Sequence, residues 1–175
     1  MFWVKGLTNN LNAKMMGGFI APEDGALVQQ LKKSGAIIIG TSNVPYMLGD
    51  FQTYGEIYPT CNNPYDTTKT PGGSSGGSAS ALAAGFTSLE LGSDLGGSIS
   101  VPSAFCGVYG LKTTFGTLNM TQGTGPDTIT KYSRFAMGVP GPMARTAEDL
   151  ELMWLALRET PIDKRFQKQT QWQQA

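Results

Sequence analysis

The stretch from Pro71 to Gly116 contains two glycine-rich turns that carry serine, separated by a small-residue segment and an apolar segment. The first turn reads PGGSSGG and carries Ser74 and Ser75, and the second reads GSDLGGS and ends at Ser98. Glycine allows sharp turns and lets backbone N–H groups come close to a reacting atom. The stretch therefore favours a fold that holds serine oxygens on rigid turns between regular elements.

The absence of histidine limits the chemistry that these serines can perform. It excludes Ser-His-Asp and Cys-His hydrolases and nearly every catalytic zinc site. Cys61 and Cys106 have no metal-ligand or disulfide spacing, so we read both as buried free thiols and expect neither metal nor cofactor. A nucleophilic serine in this chain must pass its proton to a base other than imidazole.

The ordered series GGSSGGS, GSDLGGS and PSAFCGVYGLK resembles the signature of the amidase signature family of serine hydrolases. With its flanking text, the likeness covers most of residues 3–158. It implies an α/β fold in which a mixed β-sheet is flanked by helices, and hydrolysis of carboxamide C–N bonds through an acyl-serine intermediate. Members are usually much longer than this chain, so the resemblance also implies a truncated member with an incomplete core.

The resemblance also assigns roles by position. It implies that Ser98 is the nucleophile and that Ser74, preceded by a cis peptide bond, passes the proton of Ser98 to a lysine. VKGLTNN resembles the lysine motif, which makes Lys5 the expected base and Lys14 the fallback. We expect residues 2–5 to end a strand that buries Lys5, because burial disfavours the charged form of an amine. The remaining implied roles are an oxyanion hole at Leu95, Gly96 and Gly97, support from Ser75, and orientation of the loop by Asp94.

Four positions depart from the family pattern. Gly6 and Tyr46 stand where acidic residues are common, and Pro59 stands where glycine is common. Ser100 stands where many members have arginine after the second turn.

Hydrophobic spacing predicts alternating helices and strands around the serine turns. Residues 22–34 are predicted as a helix that ends at Gly35, and residues 36–39 (AIII) as a strand buried on both faces. Residues 78–85 are predicted as a small-residue helix, and residues 86–92 as a strand that feeds the second turn. This order is typical of an α/β fold.

The C-terminal third is predicted to contain one more helix. Residues 116–139 read as a loop, after which Thr146 and Asp149 form a capping-box pattern. The core is assigned to residues 1–160 and a polar C-terminal tail to residues 161–175. The predicted apolar stripe of the helix comprises Leu150, Met153, Trp154 and Leu157.

Charge and hydropathy narrow the choice of partners. Thirteen basic and thirteen acidic residues cancel without a basic stripe, which argues against nucleic-acid or anionic-membrane binding. No apolar run approaches the roughly 20 residues of a membrane span, and the start MFWVKGL is too short for a signal peptide. We expect a cytoplasmic protein that binds a small-molecule amide, with a homodimer or amidotransferase partner subunits left open.

Three other interpretations remain. A phosphate-binding loop fits the glycine-rich text poorly, because neither the GK[ST] ending nor GxGxxG is present. The chain could instead be an inactive amidase fragment, or the amidase subunit of a glutamine-dependent tRNA amidotransferase.

Overall fold

A computed structural model of the chain describes residues 1–120 and 137–159. In these two ranges, short 3-10 turns lie at Lys14–Met16 and Tyr46–Leu48. The helices and strands are α1 (Ala26–Lys33), α2 (Gly76–Ala83), β1 (Leu89–Asp94), α3 (Ser100–Cys106), β2 (Tyr109–Gly110), β3 (Val139–Ala144) and α4 (Ala147–Arg158).

The strands form one sheet in the order β1-β3-β2, and both pairings are antiparallel. The central strand β3 contains Pro140 and Pro142, whose nitrogens cannot donate hydrogen bonds. The Pro142 carbonyl accepts from the amide of Leu111 at 3.0 Å, and the Pro140 carbonyl accepts from Thr113 Oγ1 at 2.7 Å. The sequence does not predict β3, because proline normally argues against a central strand.

Helices cover both faces of this sheet. Residues of α1 and α4 form one apolar cluster with side chains of β1, whereas α2, α3 and β3 form the other. The predicted α/β architecture, with a sheet flanked by helices, is therefore confirmed. The first cluster contains Phe2, Leu27, Val28, Leu31, Leu118, Met153 and Leu157, and the second contains Ala79, Leu82, Ile99, Cys106 and Met143.

The predicted helices are present, with shifted bounds. The cap of α4 is confirmed, because the amide of Asp149 donates to Thr146 Oγ1 at 3.1 Å. Helix α1 ends before Gly35, whose φ of +90° suits glycine, but it begins at Ala26 rather than residue 22. Residues 22–25 are not helical, because the Asp24 carboxylate instead accepts hydrogen bonds from the backbone amide of Lys5 and from Lys32 Nζ. Helix α2 spans residues 76–83 instead of 78–85.

The strand predictions are correct in part. Strand β1 begins at Leu89, three residues later than predicted, and extends to Asp94. The prediction of a buried strand at residues 36–39 is wrong: the segment belongs to no strand of the described ranges, and Ile37 and Ile39 are 88% and 74% exposed. Only one side of this segment is covered, because Ala36 and Ile38 pack against the first cluster.

No helix in the described part of the chain is long and apolar enough to cross a membrane. The predicted polar tail at residues 161–175 and most of the predicted loop at residues 116–139 lie outside the described residues.

Candidate active site

The second glycine-rich turn joins β1 directly to α3 and carries Ser98. Strand β1 ends at Asp94, the turn follows, and α3 begins at Ser100, which confirms the predicted strand-turn-helix arrangement. Gly97 has a φ of +124°, a conformation that side-chain-bearing residues rarely adopt. Ser98 is half-buried at the end of the turn. The turn therefore leaves its serine partly accessible on a tightly bent backbone.

Asp94 holds this turn from the inside. Its Oδ1 accepts from the Gly97 amide at 2.9 Å, and its Oδ2 accepts from the amides of Ile99 at 3.0 Å and Ser100 at 3.1 Å. The Ser100 hydroxyl also donates to Oδ2, at 2.9 Å. One carboxylate thus bonds to residues before and after Ser98 and so holds this turn.

Lys112 neutralises the buried carboxylate. Its Nζ lies 2.6 Å from Asp94 Oδ1, while the Asp94 side chain is 1% exposed and that of Lys112 is 41% exposed. Burial acts to raise the pKa of Asp94, but the hydrogen bonds from Lys112 and the three turn amides outweigh it and hold that pKa well below its usual range. Lys112 Nζ also donates to the Asp94 carbonyl at 3.0 Å.

Sequence reasoning missed the role of Lys112. The available signal was the sequence GLK after the second turn. An aspartate in an apolar stretch needs a counter-charge, and this lysine could supply it.

The two serine turns are joined by a backbone hydrogen bond. The Ser75 amide donates to the Ser98 carbonyl at 3.0 Å, and the Ser75 hydroxyl accepts from the Ser93 amide at 3.4 Å. The peptide bond between Gly73 and Ser74 is cis, as the resemblance implies, and Ser74 is buried. The structure therefore brings the turn that carries Ser74 and Ser75 against the turn that carries Ser98.

Neither predicted lysine is buried. Phe2 and Trp3 enter the core, but the chain then turns and leaves Lys5 exposed. The prediction that a strand carries Lys5 into the core is therefore wrong. Lys14 is exposed as well, in its 3-10 turn. Within the described ranges, no hydrogen bond joins either lysine side chain to Ser74.

The predicted oxyanion residues lie on the second turn but differ in what their amides do. The Gly97 amide already donates to Asp94, as described above. Leu95 and Gly96 are exposed, and no carbonyl or side chain of the described residues accepts from their amides. Leu95 and Gly96 are therefore the members of this set whose N–H groups are available to an external acceptor.

The cysteines are free, as predicted, but only one is fully buried. Cys106 donates to the Pro71 carbonyl at 3.5 Å, and burial raises its pKa. Cys61 is half-buried and donates to Ser80 Oγ at 3.3 Å. Among the residues that the structure describes, no group of three or more Cys, Asp or Glu side chains is placed to bind a metal ion.

The fold and these serine turns place the chain in a known class of proteins. Residues 2–173 match the family model of Amidase, and the chain belongs to that family. It is 40% identical over 150 residues to a subunit of the glutamyl-tRNA(Gln) amidotransferase of Saccharolobus solfataricus, an alignment that covers 86% of this chain and 30% of that protein. It is 48% identical over 112 residues to the corresponding protein of Alkaliphilus metalliredigens, which covers 64% of this chain and 23% of the relative.

Solved structures give the same result. The native peptide amidase from Stenotrophomonas maltophilia superposes with a TM-score of 0.78 at 29% identity, over 94% of this chain and 33% of the amidase. An inhibitor-bound vestigial protein complex, described as revealing the evolutionary origins of an s-triazine catabolic enzyme, superposes with a TM-score of 0.83 at 38% identity, over 94% of this chain and 34% of that one. The chain thus spans about a third of the length of the relatives that it matches.

Proposed function

We propose that this chain carries the nucleophile-bearing part of an enzyme that hydrolyses carboxamide C–N bonds, with Ser98 as the nucleophile. The observation that carries the proposal is the position of Ser98 on a strand-turn-helix junction that Asp94 braces from both sides. Such a junction keeps a hydroxyl accessible and rigid, as nucleophilic catalysis requires. Membership in the Amidase family supports amide substrates.

In the proposed reaction, Ser98 Oγ attacks the amide carbonyl carbon and its proton passes to the Ser74 hydroxyl, while Ser74 gives its own proton to a base. The C–N bond then breaks, a proton returned through Ser74 leaves with the amine, and the acyl group remains as an ester on Ser98. Water cleaves this ester and restores the serine, so one amide and one water become one acid and one amine. Developing negative charge on the carbonyl oxygen would be met by the free amides of Leu95 and Gly96 rather than by Gly97.

The base at the end of this relay is not assigned. Lys5 remains a prediction from the resemblance alone, and its exposed position does not support it, because the buried site expected for such a base is absent. Lys112 is also unsuited to the role, since its Nζ is bonded to Asp94.

A second candidate function is that of one component of an amidotransferase. The relatives named above belong to glutamyl-tRNA(Gln) amidotransferases, which favours glutamine as the amide and partner subunits for this chain. The peptide amidase likeness favours peptide amides instead. A cytoplasmic location stays a prediction from the sequence.

Covalent labelling tests the nucleophile. A fluorophosphonate probe should modify Ser98 in the purified protein, and peptide mapping identifies the modified residue. Ser98→Ala should abolish labelling, whereas Ser88→Ala, an exposed serine just before β1, should leave it unchanged. Labelling at another serine, or none in a chain with native circular dichroism, would overturn the assignment of Ser98.

Substrate assays separate the two candidate functions. Release of ammonia from glutamine in the presence of amidotransferase partner subunits would favour the amidotransferase role. Release of ammonia from peptide amides by the chain alone would favour an independent amidase.

A further inference from the structure

The two cysteines of the chain meet at one hydroxyl group. Cys61 lies in the loop that precedes the first serine turn, and Cys106 is the last residue of α3. The Cys61 thiol donates to Ser80 Oγ, on α2, at 3.3 Å. Burial raises the pKa of the Cys106 thiol, a hydrogen bond with Ser80 acts against this rise, and a charge on Cys61 would add to it. Both sulfur atoms are therefore neighbours of the same serine oxygen.

The backbones that carry these cysteines are also held together. Asn63 Nδ2 donates to the Phe105 carbonyl at 2.8 Å, which fixes the loop against the last turn of α3. The Ser80 hydroxyl donates to the Asn62 carbonyl at 3.2 Å, so α2 holds the same loop. Residues 61–63 and 105–106 consequently stay side by side, although 42 positions in the sequence separate Asn63 from Phe105.

The two thiols differ in their access to solvent. Cys61 is half-buried, whereas Cys106 is 0% exposed and donates to the Pro71 carbonyl at 3.5 Å. A soluble oxidant can therefore reach Cys61 first, because the oxidation of a thiol depends on its exposure. The buried thiol can react only with a group that is already inside the protein, and the nearest such group is the sulfur of Cys61 on the other side of Ser80.

From this geometry we propose that Cys61 and Cys106 form an oxidation site, at which a hydroperoxide oxidises Cys61 and Cys106 converts the product to a disulfide. The Cys61 sulfur attacks the O–O bond of hydrogen peroxide, one water leaves, and Cys61 becomes a sulfenic acid. The Cys106 sulfur then attacks the Cys61 sulfur, and its proton leaves with the sulfenic hydroxyl as a second water. Two thiols and one hydrogen peroxide thus give one disulfide and two waters, and a dithiol reductant reverses the change.

The disulfide would join the segments that flank the two serine turns. Cys106 ends the helix that begins just after Ser98, and Cys61 lies ten positions before Pro71, where the first turn begins. Oxidation also removes the S–H group that donates to the Pro71 carbonyl. The oxidation state of this pair therefore changes contacts at the entrance to one turn and at the end of the helix after the other.

Treatment of the whole chain with hydrogen peroxide tests this proposal. Because the chain contains two cysteines, an intramolecular disulfide can only join Cys61 to Cys106. After unfolding, the reduced protein should react with two maleimide groups and the oxidised protein with none. The oxidised protein should be lighter by two hydrogen atoms, and dithiothreitol should restore both thiols.

Cysteine variants assign the two roles. In Cys106→Ala, peroxide should produce a sulfenic acid on Cys61 that dimedone traps and peptide mapping locates. In Cys61→Ala, Cys106 should remain a free thiol under the same conditions, because the oxidant does not reach it. Oxidation of Cys106 at an equal rate in Cys61→Ala would overturn the proposal, as would disulfides that form only between two copies of the chain.

A matched pair of asparagine variants tests the positioning of the loop. With dimedone present, each sulfenic acid on Cys61 is either trapped or converted to the disulfide. Asn63→Ala removes the bond to α3 and should shift this ratio severalfold toward the trapped product, whereas Asn62→Ala, at an exposed neighbour, should not. Equal ratios for the two variants would show that the fold does not hold the thiols together. Ser98→Ala should oxidise like the unaltered protein, so failure here leaves the labelling result on Ser98 unaffected.

Discussion

Lys112 Nζ and Asp94 Oδ1 lie 2.6 Å apart, and this ion pair sits beneath the turn that carries Ser98. The lysine follows β2, and the aspartate ends β1, so the pair also ties two strands that do not contact each other directly in the sheet. A charged group with 1% exposure is stable only if its hydrogen-bonding capacity is used, and here both carboxylate oxygens are engaged. The stability of the protein should therefore depend on this pair and on its charge.

Asp94→Asn should lower the free energy of unfolding by about 2–4 kcal/mol, because it removes the partner of Lys112 and puts an amide N–H where backbone N–H groups now point. Urea denaturation followed by circular dichroism measures this. Glu151→Gln changes an exposed carboxylate on α4 and should leave the urea midpoint nearly unchanged. Equal midpoints for Asp94→Asn and the unaltered protein would contradict the bracing role.

Acid should remove the stabilisation that Asp94 provides. The pKa of Asp94 is depressed in the folded protein, so the unfolded chain takes up a proton first as the pH falls. The stabilisation is complete well above the ordinary aspartate pKa of ~3.9, and it is lost as the pH falls from about 5 toward the lower folded value. The difference in urea midpoint between the unaltered protein and Asp94→Asn should therefore shrink between pH 7 and pH 3. A constant difference would show that the charge of Asp94 is not responsible.

Glu90→Gln should stabilise the isolated chain at neutral pH by about 1 kcal/mol, because it removes a half-buried charge that has no counter-ion among the described residues. The folded-state pKa of Glu90 is shifted in the opposite direction to that of Asp94, so its charge lowers the stability of the fold where the charge of Asp94 raises it. Burial raises the folded pKa of Glu90, so the folded state binds the extra proton and the benefit of the substitution disappears below the ordinary glutamate pKa of ~4.3. Thermal unfolding at pH 7 and pH 4 measures both effects, and destabilisation at pH 7 would reveal a cation beside Glu90.

Gly77→Ala should destabilise the fold by about 2 kcal/mol. A Cβ at this position in α2 would collide with the backbone carbonyl of Asn43, which also accepts the Gly77 amide. Gly40→Ala, in the segment after α1, is the matched substitution, since a Cβ there meets no atom within 4 Å. Comparison of the two melting temperatures checks the prediction, and similar values would show that α2 does not pack closely against residue 43.

Thr146→Ala should cost about 1 kcal/mol, because it leaves the Asp149 amide at the start of α4 without its acceptor. Thr146→Ser keeps the hydroxyl and should recover most of the loss. Urea midpoints of the two variants distinguish loss of the cap from loss of the threonine methyl group, which would affect both equally.

Local signals in the sequence predict much of the fold. The capping pattern at Thr146 and Asp149 predicts α4, and the glycine-rich text predicts the turn from β1 to α3. Such features depend on residues within one or two turns of each other, so they can be read without knowing the rest of the structure. The start of α1 depends on a contact that is distant in the sequence. Asp24 accepts a hydrogen bond from the amide of Lys5, 19 residues away, and so stays outside the helix.

The errors concern contacts over longer distances. The apolar run at residues 36–39 has the composition of a buried strand, but burial requires neighbours on both faces and the segment has them on one. Resemblance to a lysine motif places Lys5 in the core, and neither its spacing nor its apolar neighbours predict the turn that exposes it. Lys112 escapes sequence reasoning because its partner Asp94 lies 18 residues earlier in the chain.

The hydrogen bond from the Ser75 amide to the Ser98 carbonyl has an evolutionary consequence. Because this bond couples two turns that lie on either side of α2 and β1, a substitution that displaces the backbone of one turn will shift the other. Directed evolution of residues 71–98 should accordingly recover compensating pairs of changes more often than independent single ones, and chimaeras with a crossover inside α2 should lose function unless both parents have compatible turns.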